Sequence, residues 1–472
     1  MSKGKRMPTI LETVIALILV VGVIVIGIRI KIGNQMALFL GAVTATLIAL
    51  YLRNTWEDIQ ESIVNTIKDS LVAIIIIMIT GMTVGIWIIG GTVPSLIYYG
   101  LKLCTPSILL PLTFILCALT SVFTGTSFGS IATMGLALVG IGSGMGIPAH
   151  IVAGAVVSGS FFGDKMSPMS DTTNMAPAMA GTTLYEHIGS MLYSTTIPTI
   201  LCIILYSIIG LKYSGMIDNT NIILMTETLD NTFNITVVAL IPLIAVLVVS
   251  AKRVPAILGL GLCELVSIVF AMFLQKAKFT AVMAAAFSGY ASNTGVKLVD
   301  GILSRGGINM VTGTIVLILL SCIMGGALNV SGVFHVLVTD GLLKVVRKAS
   351  SLVLATMAYC YSILLLSGNQ VLGIILGGRT FQQAYTDLDV HHKVLSRTLE
   401  DTNTIAAPLV PWSTATAYAM GVLGVGLEYI PYAFLGFLVP IFAIILAYTN
   451  IGIWKLDGTP CWGKKKGTAT VK

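Results

Sequence analysis

The residues best suited to chemistry lie close together in residues 158–183, where an apolar run gives way to glycine, proline and polar side chains. Gly163, Pro168 and Pro177 predict an interrupted helix, and such a break frees backbone carbonyls and brings two half-helix dipoles together. Hard cations prefer oxygen ligands, which this stretch supplies as carboxylate, hydroxyl, amide and carbonyl groups. It therefore predicts a cation site, with the candidate ligands Asp164, Ser170, Asp171, Thr172, Thr173 and Asn174.

Asp171 is the side chain that we expect to hold the ion. Desolvation penalises the charge of a buried carboxylate, whereas a bound cation favours that charge, so one carboxylate can hold a proton or a sodium ion in turn. The alternative is a hydrated Asp171 in an interfacial loop. Asp164 and Lys165 also have two interpretations: a second proton site with its counter-charge, or an interfacial pair whose lysine reaches water.

A glycine-rich stretch at residues 124–146 precedes this site. If it forms a re-entrant hairpin, Thr126 and Ser127 lie near its tip, beside the Asp171 break. Its small residues would equally allow close packing of an ordinary span. It also matches the G-x-S-x-G pattern of hydrolases, but lipid-length apolar runs flank it where a nucleophile elbow needs a strand and a helix. We therefore predict that the protein is not an enzyme.

The second half of the chain places a similar set of polar residues inside apolar sequence. Arg379 stands near them, and a guanidinium at membrane depth would suit a carboxylate substrate through paired hydrogen bonds. The alternative is an interfacial Arg379 on a short connector. The candidate second-half site consists of Ser367, Asn369, Glu400, Asp401, Thr402 and Asn403.

The elements that must position these residues follow from the composition. Of 472 residues, 56% are hydrophobic and only 10% are charged, whereas a soluble chain carries charge on roughly a quarter of its residues. A transmembrane helix needs about 20 apolar residues, which predicts an all-α polytopic membrane protein with about 10–13 transmembrane segments. The candidate spans are 10–29, 34–52, 71–90, 107–124, 147–163, 187–211, 235–251, 255–274, 307–328, 350–367 and 428–449.

Charge and cysteine usage narrow the possible partners. The net charge of +7 collects at Lys3, Lys5 and Arg6 and at residues 464–466, which predicts cytoplasmic termini and an even number of crossings. No basic patch with interleaved aromatic residues lies elsewhere, so no nucleic-acid partner is expected. The seven cysteines show no C-x-x-C spacing and predict neither a metal site nor a redox pair.

An internal repeat divides the chain into two halves. Two halves that each end in a polar break are typical of secondary transporters, whose repeats are often inverted across the membrane plane. Inversion needs an odd number of crossings between the repeats, and a hairpin at 125–146 would change that number. The matched positions are Gly100 with Gly341 (341 − 100 = 241), Gly125 with Gly368 (368 − 125 = 243) and Asp171 with Asp401 (401 − 171 = 230).

The stretch Phe162-Gly-Asp-Lys-Met-Ser-Pro-Met-Ser-Asp-Thr-Thr-Asn-Met-Ala-Pro-Ala-Met-Ala-Gly-Thr182 resembles the NhaC family of bacterial sodium/proton antiporters, which includes malate/lactate antiporters. The resemblance covers most of the chain. It implies a transporter of the bacterial cytoplasmic membrane and of the ion-transporter superfamily, with paired repeats, re-entrant hairpins and broken helices. It also implies that the ligands named above are motif residues, with Thr126 and Ser127 at a hairpin tip.

Two functions stay open at this point. In the first, sodium leaves the cell in exchange for protons; in the second, an organic acid also moves, for instance malate with protons inward against lactate with sodium outward. The expected partners are Na⁺, H⁺ and the lipid bilayer, with no cofactor, and a homodimer is an open alternative. The predicted organisation is N-terminal spans (1–70), a first transport repeat (71–211) broken near 164–182, connecting spans (212–306), a second transport repeat (307–455) broken near 399–412, and a basic tail (456–472).

Overall fold

The computed structural model describes residues 6–214, 219–252 and 254–462. The lysines at positions 3, 5 and 464–466, on which the prediction of cytoplasmic termini rests, lie outside these residues, as does most of the tail 456–472.

Helices make up nearly all of the regular structure in the described ranges. Short 3₁₀ turns connect several of them, at Val237–Leu240, Leu343–Val345, Ala407–Leu409 and Leu427–Tyr432. The helices are α1 (Ile10–Arg29), α2 (Asn34–Tyr51), α3 (Trp56–Ile89), α4 (Thr92–Leu103), α5 (Pro106–Thr124), α6 (Ser127–Gly144), α7 (Ala149–Met166), α8 (Asp171–Ala180), α9 (Leu184–Tyr213), α10 (Asn219–Thr232), α11 (Ile241–Ala251), α12 (Ala256–Leu274), α13 (Phe279–Ser288), α14 (Lys297–Leu303), α15 (Ile308–Val330), α16 (Val333–Leu342), α17 (Ala349–Ser367), α18 (Gln370–Asp387), α19 (His392–Ala406), α20 (Thr414–Leu423) and α21 (Phe434–Thr449).

The predicted all-α polytopic membrane class is confirmed. Within the described ranges, nine helices are long and apolar enough to cross a membrane, or ten if a pair bent by 90° between α10 and α11 forms one span. Two further predicted spans fall on helices outside these nine. The predicted span 147–163 falls on α7, which carries Asp164 and Lys165 near its end and is buried along most of its length, and the span 428–449 falls on α21.

Residues 125–146 form one helix, not a hairpin that turns back within the segment. After a break at Gly125, α6 runs continuously from Ser127 to Gly144 with one π-helical turn at Ile131–Gly135. Its glycines face neighbouring side chains: Gly140 lies against Ile97, and Gly142 lies against Val152. Close packing of a helix, one of the two alternatives for this segment, therefore explains those glycines.

The internal repeat is visible in the helix boundaries. Gly125 ends α5 and Gly368 ends α17, both in the left-handed conformation with φ of 70° and 63°, where a residue with a Cβ would be strained. The same offset of 243 residues separates the first residues of three helix pairs: α5 and α17 (349 − 106), α7 and α19 (392 − 149), and α8 and α20 (414 − 171). It also separates the left-handed glycines that follow α8 and α20 (424 − 181). The two halves thus repeat one helical pattern. Their inversion across the membrane plane stays a prediction.

The match of Asp171 with Asp401 is wrong. At the offset that the helix boundaries keep, Asp171 corresponds to Thr414, and both residues begin ten-residue helices after a serine N-cap. Asp401 lies inside α19, and the second-half break follows that helix at residues 407–413. The short similarity between the two polar stretches misled the alignment, because the acidic, hydroxyl and amide residues follow the first-half break but precede the second-half break.

Helix α7 is fixed against α5 by a small-x-x-x-small pair, Gly159 and Gly163. A Cβ at Gly159 would overlap the Phe114 carbonyl oxygen, and a Cβ at Gly163 would overlap the Ala118 carbonyl oxygen. Such pairs let two helix backbones approach closely in a membrane. This packing sets the position of Asp164, the next residue along α7.

We expect Gly163→Ala to destabilise the fold by about 1–3 kcal/mol, because a backbone carbonyl cannot move aside as a side chain tip could. The apparent melting temperature of the detergent-purified protein measures the effect. Gly189→Ala in α9 is the matched control, since a Cβ there meets nothing within 4 Å. Equal melting temperatures for the two variants would argue against tight α5–α7 packing.

Candidate functional site

Asp164 is the carboxylate at the centre of the first-half break. It lies near the end of α7 and is 5% exposed. Ser127, at the start of α6, donates a hydrogen bond to Asp164 Oδ2 at 2.6 Å, and Ser170 donates one to Oδ1 at 2.6 Å. Ser127, just after the break between α5 and α6, and Ser170, just before α8, therefore bind the same carboxylate.

The rest of the motif completes an oxygen-rich pocket around this carboxylate. The Ser170 hydroxyl lies 3.0 Å from that of Thr172. Thr173 Oγ1 lies within hydrogen-bonding distance of the Asp164 and Lys165 carbonyl oxygens, at 2.9 and 3.0 Å. The N-terminal end of α8 lies here as well, and the helix dipole favours negative charge at that end. Hydroxyl, carboxylate and carbonyl oxygens thus meet where two helices break.

Asn174 and Thr126 play local roles in this region. The Asn174 amide donates to the Pro168 and Ser170 carbonyl oxygens at 2.9 and 2.8 Å, which closes the turn before α8. Thr126 caps α6, with its hydroxyl accepting from the Gly129 amide at 3.5 Å. Both side chains support the site residues and also line the adjacent cavity.

A cavity of about 820 Å³ adjoins the Asp164 site. Its wall includes one face of α3, the residues around the break between α5 and α6, and the residues around the break between α7 and α8. Three carboxylates line it, those of Asp69, Asp164 and Asp171, and none of the described lining residues is Lys, Arg or His. Such a wall attracts cations and repels organic anions.

Asp171 does not occupy the buried position that the sequence predicted for it. As the first residue of α8 it lines the cavity and is exposed, and the helix dipole favours its charge. The buried carboxylate of the motif is Asp164, seven positions earlier. The interpretation of Asp164 as an interfacial partner of Lys165 is also wrong, because both side chains are buried and Lys165 pairs elsewhere.

Lys165 joins the two halves of the protein. Its ammonium group forms an ion pair with Asp401 of α19, and both side chains are fully buried. Ser194 of α9 donates a hydrogen bond at 2.9 Å to the same Asp401 oxygen. The guanidinium of Arg397, which is 1% exposed, lies 3.9 Å from the other Asp401 oxygen and donates to the Gly452 carbonyl oxygen at 2.8 Å.

Glu400 is the remaining charged residue of this buried cluster. It is fully buried, and neither carboxyl oxygen has a hydrogen-bond partner among the described residues. It lies within electrostatic reach of Lys165 and Asp164. The cluster thus contains three acids and two bases, all at most 5% exposed: Asp164, Lys165, Arg397, Glu400 and Asp401.

The other second-half candidates form hydrogen bonds with partners other than Asp164. Asn369 caps α18 and donates to Ser70 Oγ of α3 at 2.9 Å. Ser367 and Thr402 each donate to a carbonyl oxygen one turn earlier, at 2.8 and 2.7 Å. The side-chain nitrogen of Asn403 donates in the same way at 3.0 Å, to the Leu399 carbonyl oxygen. Its side-chain oxygen packs on Gly373 and has no hydrogen-bond partner in the described part of the chain.

Arg379 is exposed and lines a second cavity of about 350 Å³. Asp58, Glu61 and Asp69 line the same cavity, so its surroundings are acidic. Asp69 lines both cavities. The polar face of α3 thus extends from this second cavity to the larger cavity beside Asp164.

Sequence reasoning missed Ser194 and Arg397. Ser194 lies in an apolar span with no local signal. Arg397 is a basic residue between two predicted site stretches, and its spacing of four from Asp401 on one helix could have indicated the pair.

Interrupted helices in a membrane bundle, a buried charged cluster and a cavity lined by carboxylates define a polytopic membrane transporter. A model of the Na⁺/H⁺ antiporter family matches residues 159–451, and the chain belongs to that family.

Curated relatives are similar over almost the whole chain. The Na⁺/H⁺ antiporter NhaC of Alkalihalophilus pseudofirmus is 35% identical over 430 residues, 90% of this chain and 92% of the relative. The malate-2H⁺/Na⁺-lactate antiporter of Bacillus subtilis is 34% identical over 468 residues, 98% of this chain and 100% of the relative. The arginine/ornithine antiporter ArcD of Halobacterium salinarum is 33% identical over 443 residues, 93% of this chain and 90% of the relative. The named substrates of these relatives differ, although all three are antiporters.

Proposed function

We propose that this protein is a secondary active antiporter that exchanges Na⁺ for H⁺ across the bacterial cytoplasmic membrane by alternating access. The observation that carries the proposal is the composition of the buried cluster. With all five side chains ionised, three acids and two bases leave one negative charge. An uncompensated buried charge is strongly unfavourable, and either one sodium ion or one proton neutralises it. Competition between the two ions for one site couples their transport.

Asp164 is the carboxylate that the two ions share in this proposal. It combines burial with access to the cavity, whereas Glu400 and Asp401 are not among the cavity-lining residues described. Ser127, Ser170 and Thr172 supply neutral oxygens beside it. Asp171 and Asp69 stand on the cavity wall, where their charges concentrate cations before binding.

The Lys165–Asp401 pair gives the exchange a mechanical link between the repeats, proposed here as 71–211 and 307–455. Lys165 follows Asp164 in α7, so a change of charge at Asp164 changes the electrostatic potential at the ion pair between Lys165 and Asp401 of α19. Movement of one repeat against the other is the usual basis of alternating access in repeat-built transporters. The basic termini favour a cytoplasmic location for both chain ends.

An organic-acid exchanger coupled to Na⁺ and H⁺ is the second candidate. The cavity volume of about 820 Å³ favours it, since that space exceeds what a single sodium ion requires. The malate-2H⁺/Na⁺-lactate antiporter relative also supports this candidate. The absence of Lys, Arg and His among the described lining residues, and the acidic neighbours of Arg379, weigh against it.

Proton movement in everted vesicles with an imposed pH gradient separates the two candidates. We expect sodium chloride alone to collapse the gradient, with choline chloride as the control salt, because Na⁺ and H⁺ compete for Asp164. Collapse that requires malate or lactate would support the organic-acid exchanger. No response to any of these solutes, in vesicles that contain the folded protein, would contradict both.

A further inference from the structure

One buried charged residue stands outside the cluster. Of the six Asp, Glu, Lys and Arg side chains buried in the described ranges, five form the cluster and the sixth is Glu264. Glu264 lies near the middle of the 19-residue helix α12 and is 6% exposed. An acid at that depth of an apolar span is unfavourable, and such residues commonly have a functional role.

The Glu264 carboxyl group adjoins the large cavity through one hydroxyl group. Its Oε1 atom makes a hydrogen bond with Thr83 Oγ1 of α3, and its Oε2 atom has no hydrogen-bond partner among the described residues. Thr83 lines the same cavity as Asp164, and so does Cys263, the neighbour of Glu264 in α12. A proton can therefore reach Glu264 from the cavity through the Thr83 hydroxyl.

The hydrogen bonds of the Thr83 hydroxyl are better satisfied when Glu264 carries a proton. The Thr83 hydroxyl has one hydrogen and faces two acceptors, the Ile79 carbonyl oxygen at 3.0 Å and Glu264 Oε1. If Glu264 is charged, one of these acceptors lacks a hydrogen. If Glu264 is the neutral acid, it donates to Thr83 Oγ1 while Thr83 donates to Ile79, and both contacts are satisfied.

No described charged group on the neighbouring elements compensates a negative charge at Glu264. Helices α3, α11 and α13 pack against α12, and the described sequences of α11 and α13 contain no Asp, Glu, Lys, Arg or His. The charged residues of α3 end at Asp69, about 21 Å along the helix from Thr83. The Cys263 thiol is the titratable group next to Glu264 in the chain. Burial without a described counter-charge therefore favours the neutral, protonated form of Glu264.

We propose that Glu264 is a second proton-binding site of the transport cavity, separate from Asp164, and that it carries one proton per cycle. This inference rests on the proposed Na⁺/H⁺ exchange. One proton competes with Na⁺ at Asp164 and another binds at Glu264. Each Na⁺ is then exchanged for two protons, and the exchange moves net charge.

The test uses the purified full chain in proteoliposomes with fixed Na⁺ and pH gradients. At a ratio of two, net exchange stops at a membrane potential that gives the ratio, whereas at a ratio of one the exchange moves no net charge and does not respond to the potential. We expect a ratio of two for the wild type and of one for Glu264→Gln, because the amide keeps the Thr83 contact but cannot carry a proton. Ser267→Ala is the matched control. Ser267 lies one turn from Glu264 and accepts a hydrogen bond at 2.9 Å from Trp87 of α3, so this variant removes a helix–helix contact of similar depth and should keep the ratio of two.

A ratio of one in the wild type, or an unchanged ratio in Glu264→Gln, would overturn the inference and leave the proposed Na⁺/H⁺ exchange intact. A wild type without sodium-dependent proton movement would instead contradict the proposed function. If Glu264→Gln moves no protons, exchange of labelled Na⁺ for unlabelled Na⁺ decides the matter. Retained Na⁺/Na⁺ exchange supports a proton-coupling role, and its loss in a folded variant assigns Glu264 to structure.

Discussion

Asp164→Asn should reduce sodium-dependent proton movement by at least ~100-fold, equivalent to about 2.7 kcal/mol. The amide preserves the size of the side chain, and its oxygen can accept a hydrogen bond from one of Ser127 and Ser170 while its nitrogen donates to the hydroxyl oxygen of the other. It cannot exchange a proton for a cation, and it changes the charge balance of the buried cluster. Proteoliposomes loaded with a pH-sensitive dye and given a sodium pulse measure the rate directly.

Asp171→Asn is the matched control for this prediction. It makes the same chemical change on the same cavity, at an exposed carboxylate. We expect it to keep the maximal rate within about tenfold and to weaken the apparent affinity for Na⁺, because Asp171 attracts ions without sharing them with a proton. An inactive Asp171→Asn beside an active Asp164→Asn would return the central role to Asp171, as the sequence first predicted.

Lys165→Met should lower the stability of the protein by about 3–5 kcal/mol, because it leaves Asp401 buried without its main counter-charge. The partial compensation from Arg397, 3.9 Å away, is weaker at that distance. The apparent melting temperature in detergent reports the effect. Lys212→Met, which removes an exposed lysine at the end of α9, should leave the melting temperature unchanged.

The double variant Lys165→Met/Asp401→Leu separates the cost of an unpaired charge from the value of the pair. Replacing both members of a buried ion pair by apolar groups is often neutral or stabilising, so most of the lost stability should return. Transport should not return with it, because the proposed link between the repeats depends on charge. A double variant that transports at the wild-type rate would show that the pair has only a structural role.

The sequence by itself determined the class of the protein and the location of its breaks. The hydropathy pattern predicted a helical membrane protein, because a span must satisfy its backbone hydrogen bonds internally and present apolar side chains to lipid. Glycine and proline among polar residues indicated the first-half break, and the offset of 243 matched Gly125 with Gly368, where two helices do end. These features depend on short-range sequence, so they could be predicted from it.

Only the tertiary structure decided which carboxylates are buried together. Asp164 and Asp171 share one motif, yet one is enclosed by Ser127 and Ser170 while the other is exposed on the cavity wall. The Lys165–Asp401 pair joins residues 236 positions apart, and Glu264 meets Thr83 across two helices that no motif connects. Burial and charge pairing depend on which helix faces pack against each other, and local composition does not determine that packing.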